Sequence, residues 1–295
     1  MLPPCCKNFV REILSTDLYS GFFARNGGYI KRQKFQPLRP AVSAKEMNLS
    51  STLTGKSESM TWLPAQNSVP LWSRRLPLTG SRKKWFAFDV EFDERLWSLW
   101  GGLHPRSTYF DSQARGHQTC CVVACCAASV LLSLKGWTSK LLDVIVVAGD
   151  KYYRASMRRS SNPDDLALEC NFHGTDFLVQ LQLMAHGQLY SSPAGPAMGL
   201  YEALNFFFTR YQFSIVQCQG HHLAFGYSSC RNGGYFFYDC SGWDRPVFPD
   251  NMGASYVLRC KQLLLLVYCI VVTLNVRRAG IDFQIFSVQA DQVVN

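Results

Sequence analysis

The stretch from Gly116 to Cys126, GHQTCCVVACC, places cysteines at the mouth of a long apolar run. A polar loop feeding an apolar helix would put Cys120 or Cys121 in the first turn. There, unpaired backbone N–H groups and the helix dipole favour a thiolate and lower its pKa. Either sulfur is therefore a candidate nucleophile, and Gln118 or a nearby backbone N–H is a candidate donor to a developing oxyanion. A second polar cluster, GHHLAFGYSSCRNGGYFFYDC, runs from Gly220 to Cys240. His221 and His222 open one predicted strand, Asn232-Gly233-Gly234 makes a turn, and Asp239 closes the next strand. Paired strands would bring imidazole and carboxylate together, so the ordered set Cys…His…Asp supplies a nucleophile, a base and an orienter. Each member also has a plainer reading. Cysteines in an apolar helix pack as small hydrophobes, a histidine pair suits a strand edge, and an aspartate caps a turn.

Other chemistries fit less well. Cys121 and Cys125 stand at i, i+4, but no paired C-x-x-C sets exist, and the remaining cysteines lack metal-ligand spacing. Gly233-Gly234 is a hairpin signal and no phosphate-cradling loop or dinucleotide fingerprint is present. The sequence therefore predicts no metal and no cofactor.

The elements that must position these residues follow from periodicity. Order is expected from Trp85, with WFAFDVEFDERLWSLW alternating at first and then helix-like. A loop spans Gly101–Gln118. One helix runs from Cys120 to Leu134, stopped by Lys135-Gly136, and a second from Thr138 or Ser139 to Tyr153. Strands are predicted at Leu166–Phe172, Phe177–Met184, Phe213–Gln217, His222–Tyr227, Tyr235–Asp239 and Ser255–Cys260, with a short helix at Leu200–Arg210. The apolar run Leu263–Asn275 reads as a buried strand and Ile281–Val288 as an edge strand. Helices followed by a mostly antiparallel sheet define an α+β class, not a βαβ alternation.

Charge divides the chain in two. Residues 1–85 carry 14 Lys/Arg against 4 Asp/Glu, whereas residues 86–295 carry 16 against 17, so the net charge of +9 belongs to the first segment. That segment is rich in Ser, Pro, Arg and Lys without a sustained period, and reads as a basic, disordered leader. A nucleic-acid role is expected only through this leader. Residues 86–295 read as one folded domain. The twelve cysteines sit mostly inside apolar runs, which suits free thiols and a reducing, intracellular compartment, cytoplasmic or nuclear. The runs Cys120–Leu134 and Leu263–Val272 are both shorter than the roughly 20 residues of a membrane-spanning helix, so no membrane association is expected.

Three blocks together resemble the herpesvirus tegument deubiquitinase family and its relatives in animal genomes: SQARGHQTCC, WTSKLLDVIVVAGDKYY from Trp137, and GGYFFYDCSGWDRPVFPDNMGASYVL from Gly233. In that family a Gly-x-Gln-Cys motif opens the catalytic helix, a Trp…Leu-Asp…Gly-Asp-x-Tyr helix follows, and an Asp-x-His motif ends a strand. The resemblance spans roughly Leu103 to Leu274. It implies a papain-like cysteine peptidase fold, ubiquitin or a ubiquitin-like protein as partner, the nucleophile at Cys120 or Cys121, and the carboxylate at Asp239. It also implies a defect. Ser241 stands where the family has its histidine, and the family's upstream glutamine has no match near His104-Pro105. A hydroxyl is no general base at neutral pH. The expectation is a catalytically impaired homologue that still binds protein. The alternative is an active thiol peptidase in which His221 or His222 supplies the base.

Overall fold

The computed structural model describes residues 70–74, 81–106, 110, 116–159, 166–191, 197–241, 247–249, 252–276 and 280–293. Most of the basic leader, and with it any nucleic-acid role, lies outside the described residues.

Ten strands form one sheet: β1 (Lys84–Trp85), β2 (Phe88–Phe92), β3 (Leu96–Trp100), β4 (Glu169–Phe172), β5 (Thr175–Gln188), β6 (Phe213–Cys218), β7 (His221–Ser228), β8 (Gly234–Asp239), β9 (Tyr256–Cys260) and β10 (Asp282–Gln292). Their spatial order is β1-β2-β3-β9-β8-β7-β6-β10-β5-β4, and neighbouring strands run antiparallel. Among the described residues, four α-helices accompany it: α1 (His117–Val130), α2 (Ser139–Arg159), α3 (Leu200–Phe208) and α4 (Leu263–Leu274).

Side-chain alternation splits the core between the two faces of the sheet. Ile215, Ala224, Phe236, Tyr238 and Val257 pack with α1 and α2. Val216, Leu223, Phe225, Phe237, Tyr256 and Leu258 pack with α3 and α4. The result is a three-layer arrangement with a helix pair on each face. The α1 and α2 backbones meet closely at Gly149, where an added Cβ would fall 2.4 Å from Cys120 Sγ and 2.8 Å from Cys120 Cα.

Several expectations are corrected. The run Leu263–Leu274 is a helix, with all twelve residues buried. A segment apolar on every side carries no period to separate helix from strand, and its length, beyond that of most strands, was the better guide. It ends at Asn275, a left-handed cap at φ 50° whose N–H bonds Val271 O at 3.1 Å. The strand at the C-terminal end is not an edge, because β10 lies between β5 and β6. Its polar alternation reflects one solvated face of a central strand. The helix-like half of the Trp85 segment is β3, paired with β2 in a hairpin and with β9 beyond it. Helices therefore do not simply precede the sheet, since three strands come before α1. Helix α1 also begins earlier than expected, at His117, and α2 extends to Arg159 with Thr138 Oγ1 accepting the Leu141 N–H at 3.2 Å as its cap.

The domain also reaches back into the basic segment. Trp72 is fully buried and sits edge-on to Tyr268, with ring centroids 6.0 Å apart. Ser73 Oγ donates to Val247 O at 3.0 Å, and Arg74 pairs with Asp89 at 2.7 Å and Glu91 at 2.9 Å while lying over the Trp100 ring. The division at residue 85 thus falls inside the folded domain. Basic composition hid an anchor whose buried residues include Pro70, Trp72 and Ser73.

Candidate functional site

The start of α1 lies against the first residues of β7 and the last of β8, so the topology does assemble the sequence's two polar clusters. Cys121 Sγ contacts His222 O at 3.3 Å, and Cys240 Sγ contacts His117 O at 3.7 Å. What the assembly presents differs from the expected triad in three ways.

First, the cysteines sit too deep in the helix. Gly116 precedes α1 and His117, Gln118 and Thr119 occupy its first three positions, which own the unpaired N–H groups. The Cys120 N–H already bonds Gly116 O at 3.0 Å. Cys120 Sγ turns toward α2, 3.9 Å from Val146 O, while Cys121 turns toward the sheet. The Cys120 thiol is pushed well up, first by its contact with Cys240 and then by burial, and burial alone is the main cause of the upward shift at Cys121. Both shifts run toward the neutral thiol, opposite to the lowering expected of a cysteine at a helix start. Counted from Gly116-His117-Gln118, the position that the Gly-x-Gln-Cys motif gives its cysteine is Thr119. Its Oγ1 donates to Gly116 O at 2.9 Å, and the residue is buried.

Second, Asp239 does not face the sulfurs. Strand alternation puts Tyr238 and Cys240 on the α1 face, and Asp239, opposite Tyr256, on the α4 face. The carboxylate is fully buried, and this desolvation raises its pKa to about 6 despite several stabilising hydrogen bonds. Asp239 Oδ1 accepts the Ser241 N–H at 2.8 Å and also the Ser241 hydroxyl. Ser241, two residues past the end of β8, thus lies beside the buried carboxylate.

Third, the histidines cluster with one another. His117, His222, His221 and Arg106 lie close enough for the last three to depress protonation of His117. With burial as the leading cause, its pKa falls to about 4. Burial likewise lowers His221, followed by Arg106. Arg106 Nε donates to Ser241 O at 3.1 Å, tying the loop before α1 to the end of β8. Gln118 is half-buried on the first turn of α1. Of the residues that shape this site, His117, Thr119, Arg106 and Cys240 were missed by sequence reasoning. His117 and Thr119 lie within the same motif string and Cys240 follows from strand alternation, but Arg106 carried no local signal. Among the described residues, no group of three or more His, Cys, Asp or Glu side chains is placed to hold a metal ion, and no helix is long and apolar enough to cross a membrane.

No protein-family model matches the chain, and no curated protein matches it in sequence. In structure, it is similar to the ubiquitin-specific protease encoded by a murine cytomegalovirus tegument protein, solved in complex with a ubiquitin-based suicide substrate. The TM-score is 0.53 at 11% identity, over 67% of this chain and 88% of the viral one. The likeness is one of fold. The chain has a mixed helix and antiparallel-sheet architecture similar in fold to that of the viral protease.

Proposed function

We propose that the domain is a papain-like deubiquitinase homologue that has lost efficient catalysis and binds ubiquitin or a ubiquitin-like protein through the surface around the start of α1. The observation that carries the reading is the pairing of Asp239 with Ser241. The carboxylate that would orient an imidazole is engaged by a hydroxyl that cannot serve as a base at neutral pH. The two buried, protonated thiols and the threonine at the motif's cysteine position support the same conclusion. The similar viral enzyme was crystallised with a ubiquitin-based substrate, which nominates ubiquitin as the first partner to try.

The test is a titration of isotopically labelled ubiquitin with the full chain, followed by NMR. Saturable shifts concentrated on one ubiquitin surface are expected. Unchanged spectra at high protein concentration would remove ubiquitin as the partner.

A further inference from the structure

Cys260 ends β9 within the sheet, level with Leu96 of β3 on one side and Tyr235 of β8 on the other. Cys269 lies in the middle of α4. The two sulfurs stand 3.8 Å apart, and both residues are fully buried. Other thiols are aimed differently: the sulfurs of Cys121, Cys125 and Cys230 approach backbone carbonyl oxygens. A disulfide bond is about 2.05 Å long, so closure asks these two sulfurs to approach by roughly 1.8 Å. The helix they would tether lacks other directional anchors at its start. No side chain caps α4, no acidic residue occupies its first turn, and no basic residue occupies its last. Apolar packing seats it, and such packing is non-directional. A covalent link would fix which side of α4 meets the sheet.

Independently of the ubiquitin reading, we infer that Cys260 and Cys269 form a disulfide tying α4 to β9 when the chain folds in the presence of a small-molecule disulfide. One protein thiolate attacks a sulfur of the small disulfide, forming a mixed disulfide and releasing one thiol. The second protein thiolate attacks the protein sulfur of that mixed disulfide and releases the other half. The two protein thiols lose two electrons and two protons, and the small disulfide takes up both to leave as two thiols. Burial sets the timing. The thiolate is the reacting form, and burial, followed by the contact with Cys260, pushes the Cys269 thiol up. With α4 seated, neither residue is open to solvent. The bond therefore closes while α4 is still docking, and the folded domain resists later oxidation at this pair.

In the experiment, the full chain is unfolded in urea and refolded with either oxidised or reduced glutathione. Its remaining thiols are then alkylated under denaturing conditions. Peptide mapping by mass spectrometry should find Cys260 joined to Cys269 after oxidised refolding, and both alkylated after reduced refolding. The urea midpoint should be higher by about 1 M in the oxidised form, the size expected when a disulfide closes a short loop. Cys260→Ala and Cys269→Ala should each abolish that difference. Oxidised glutathione added only after refolding should leave both cysteines free over the same period. Both cysteines alkylated after oxidised refolding, or Cys260 joined to a different cysteine, would overturn the inference whether or not the variants fold. A midpoint difference that persists in both variants would overturn the tethering of α4. Closure just as fast in the folded chain would overturn the timing.

Discussion

The middle of α4 and the start of α1 lie on opposite faces of the same sheet and are built to different standards. Around α4, twelve consecutive buried residues are almost entirely apolar, and the hydroxyl of Thr273 meets that of Tyr256 at 3.0 Å. Around the start of α1 and the end of β8 lie a buried carboxylate, two histidines held largely neutral, three buried thiols and a phenol with no partner among the described residues. Burying polar groups without full compensation costs stability. The first region is what packing alone selects. The second keeps groups that packing would discard, as expected where a site has been placed on a scaffold.

Substitutions sharpen this contrast. Leu266→Ala and Ile270→Ala, both fully buried in α4, should each cost about 2–5 kcal/mol in urea unfolding, because each opens a cavity in close-packed surroundings. A loss under 1 kcal/mol in both would show that α4 is loosely seated.

At the site end, Asp239→Asn should have the opposite sign. Burial lifts this carboxyl from 3.8 to about 6, so its contribution to stability is full below pH 4 and is lost as pH rises through 6. Removing the charge should stabilise the protein by about 3 kcal/mol at most at pH 8, and by almost nothing at pH 4. His117 works the other way. Its pKa falls from 6.5 to about 4, so its contribution is full above 6.5 and is lost as pH falls toward 4, again about 3 kcal/mol at most. The two slopes nearly cancel in the unmodified protein, with His221 adding to the His117 side. Stability should therefore rise with pH in Asp239→Asn and fall with pH in His117→Gln. Parallel profiles for all three proteins between pH 4 and 7 would contradict the burial of both groups.

Gly149→Ala should have a smaller effect, a loss of about 1–3 kcal/mol, since a methyl there overlaps Cys120 and forces α1 from α2. An unchanged midpoint would mean that the two helices can separate without cost.

Much of this architecture was legible from periodicity. The segments of α1, α2 and α3 and the strands β6 to β9 fall close to their expected positions, because each carries either an amphipathic stripe or turn residues at its ends. Helix α4 and strand β3 were misread because burial on both sides removes the alternation that separates helix from strand: α4 is apolar throughout, and β3 carries Leu or Trp at four of its five positions. The site was half legible. Residue types and strand pairing showed which segments meet, but side-chain direction depends on register. A shift of three positions in where α1 begins moved Cys120 from the unpaired first turn into the hydrogen-bonded body of the helix. Strand alternation then turned Asp239 away from the sulfurs and presented Cys240 instead. Ser241, which the sequence reading set where a histidine was expected, donates its N–H and its hydroxyl to Asp239 Oδ1.

The most direct test of impaired catalysis is incubation of the full chain with ubiquitin carrying an electrophile at its C-terminus, read by intact-protein mass spectrometry. No covalent adduct is expected while the unmodified ubiquitin still binds. An adduct that forms readily and disappears in Cys120→Ala or Cys121→Ala would show a working nucleophile and contradict the account.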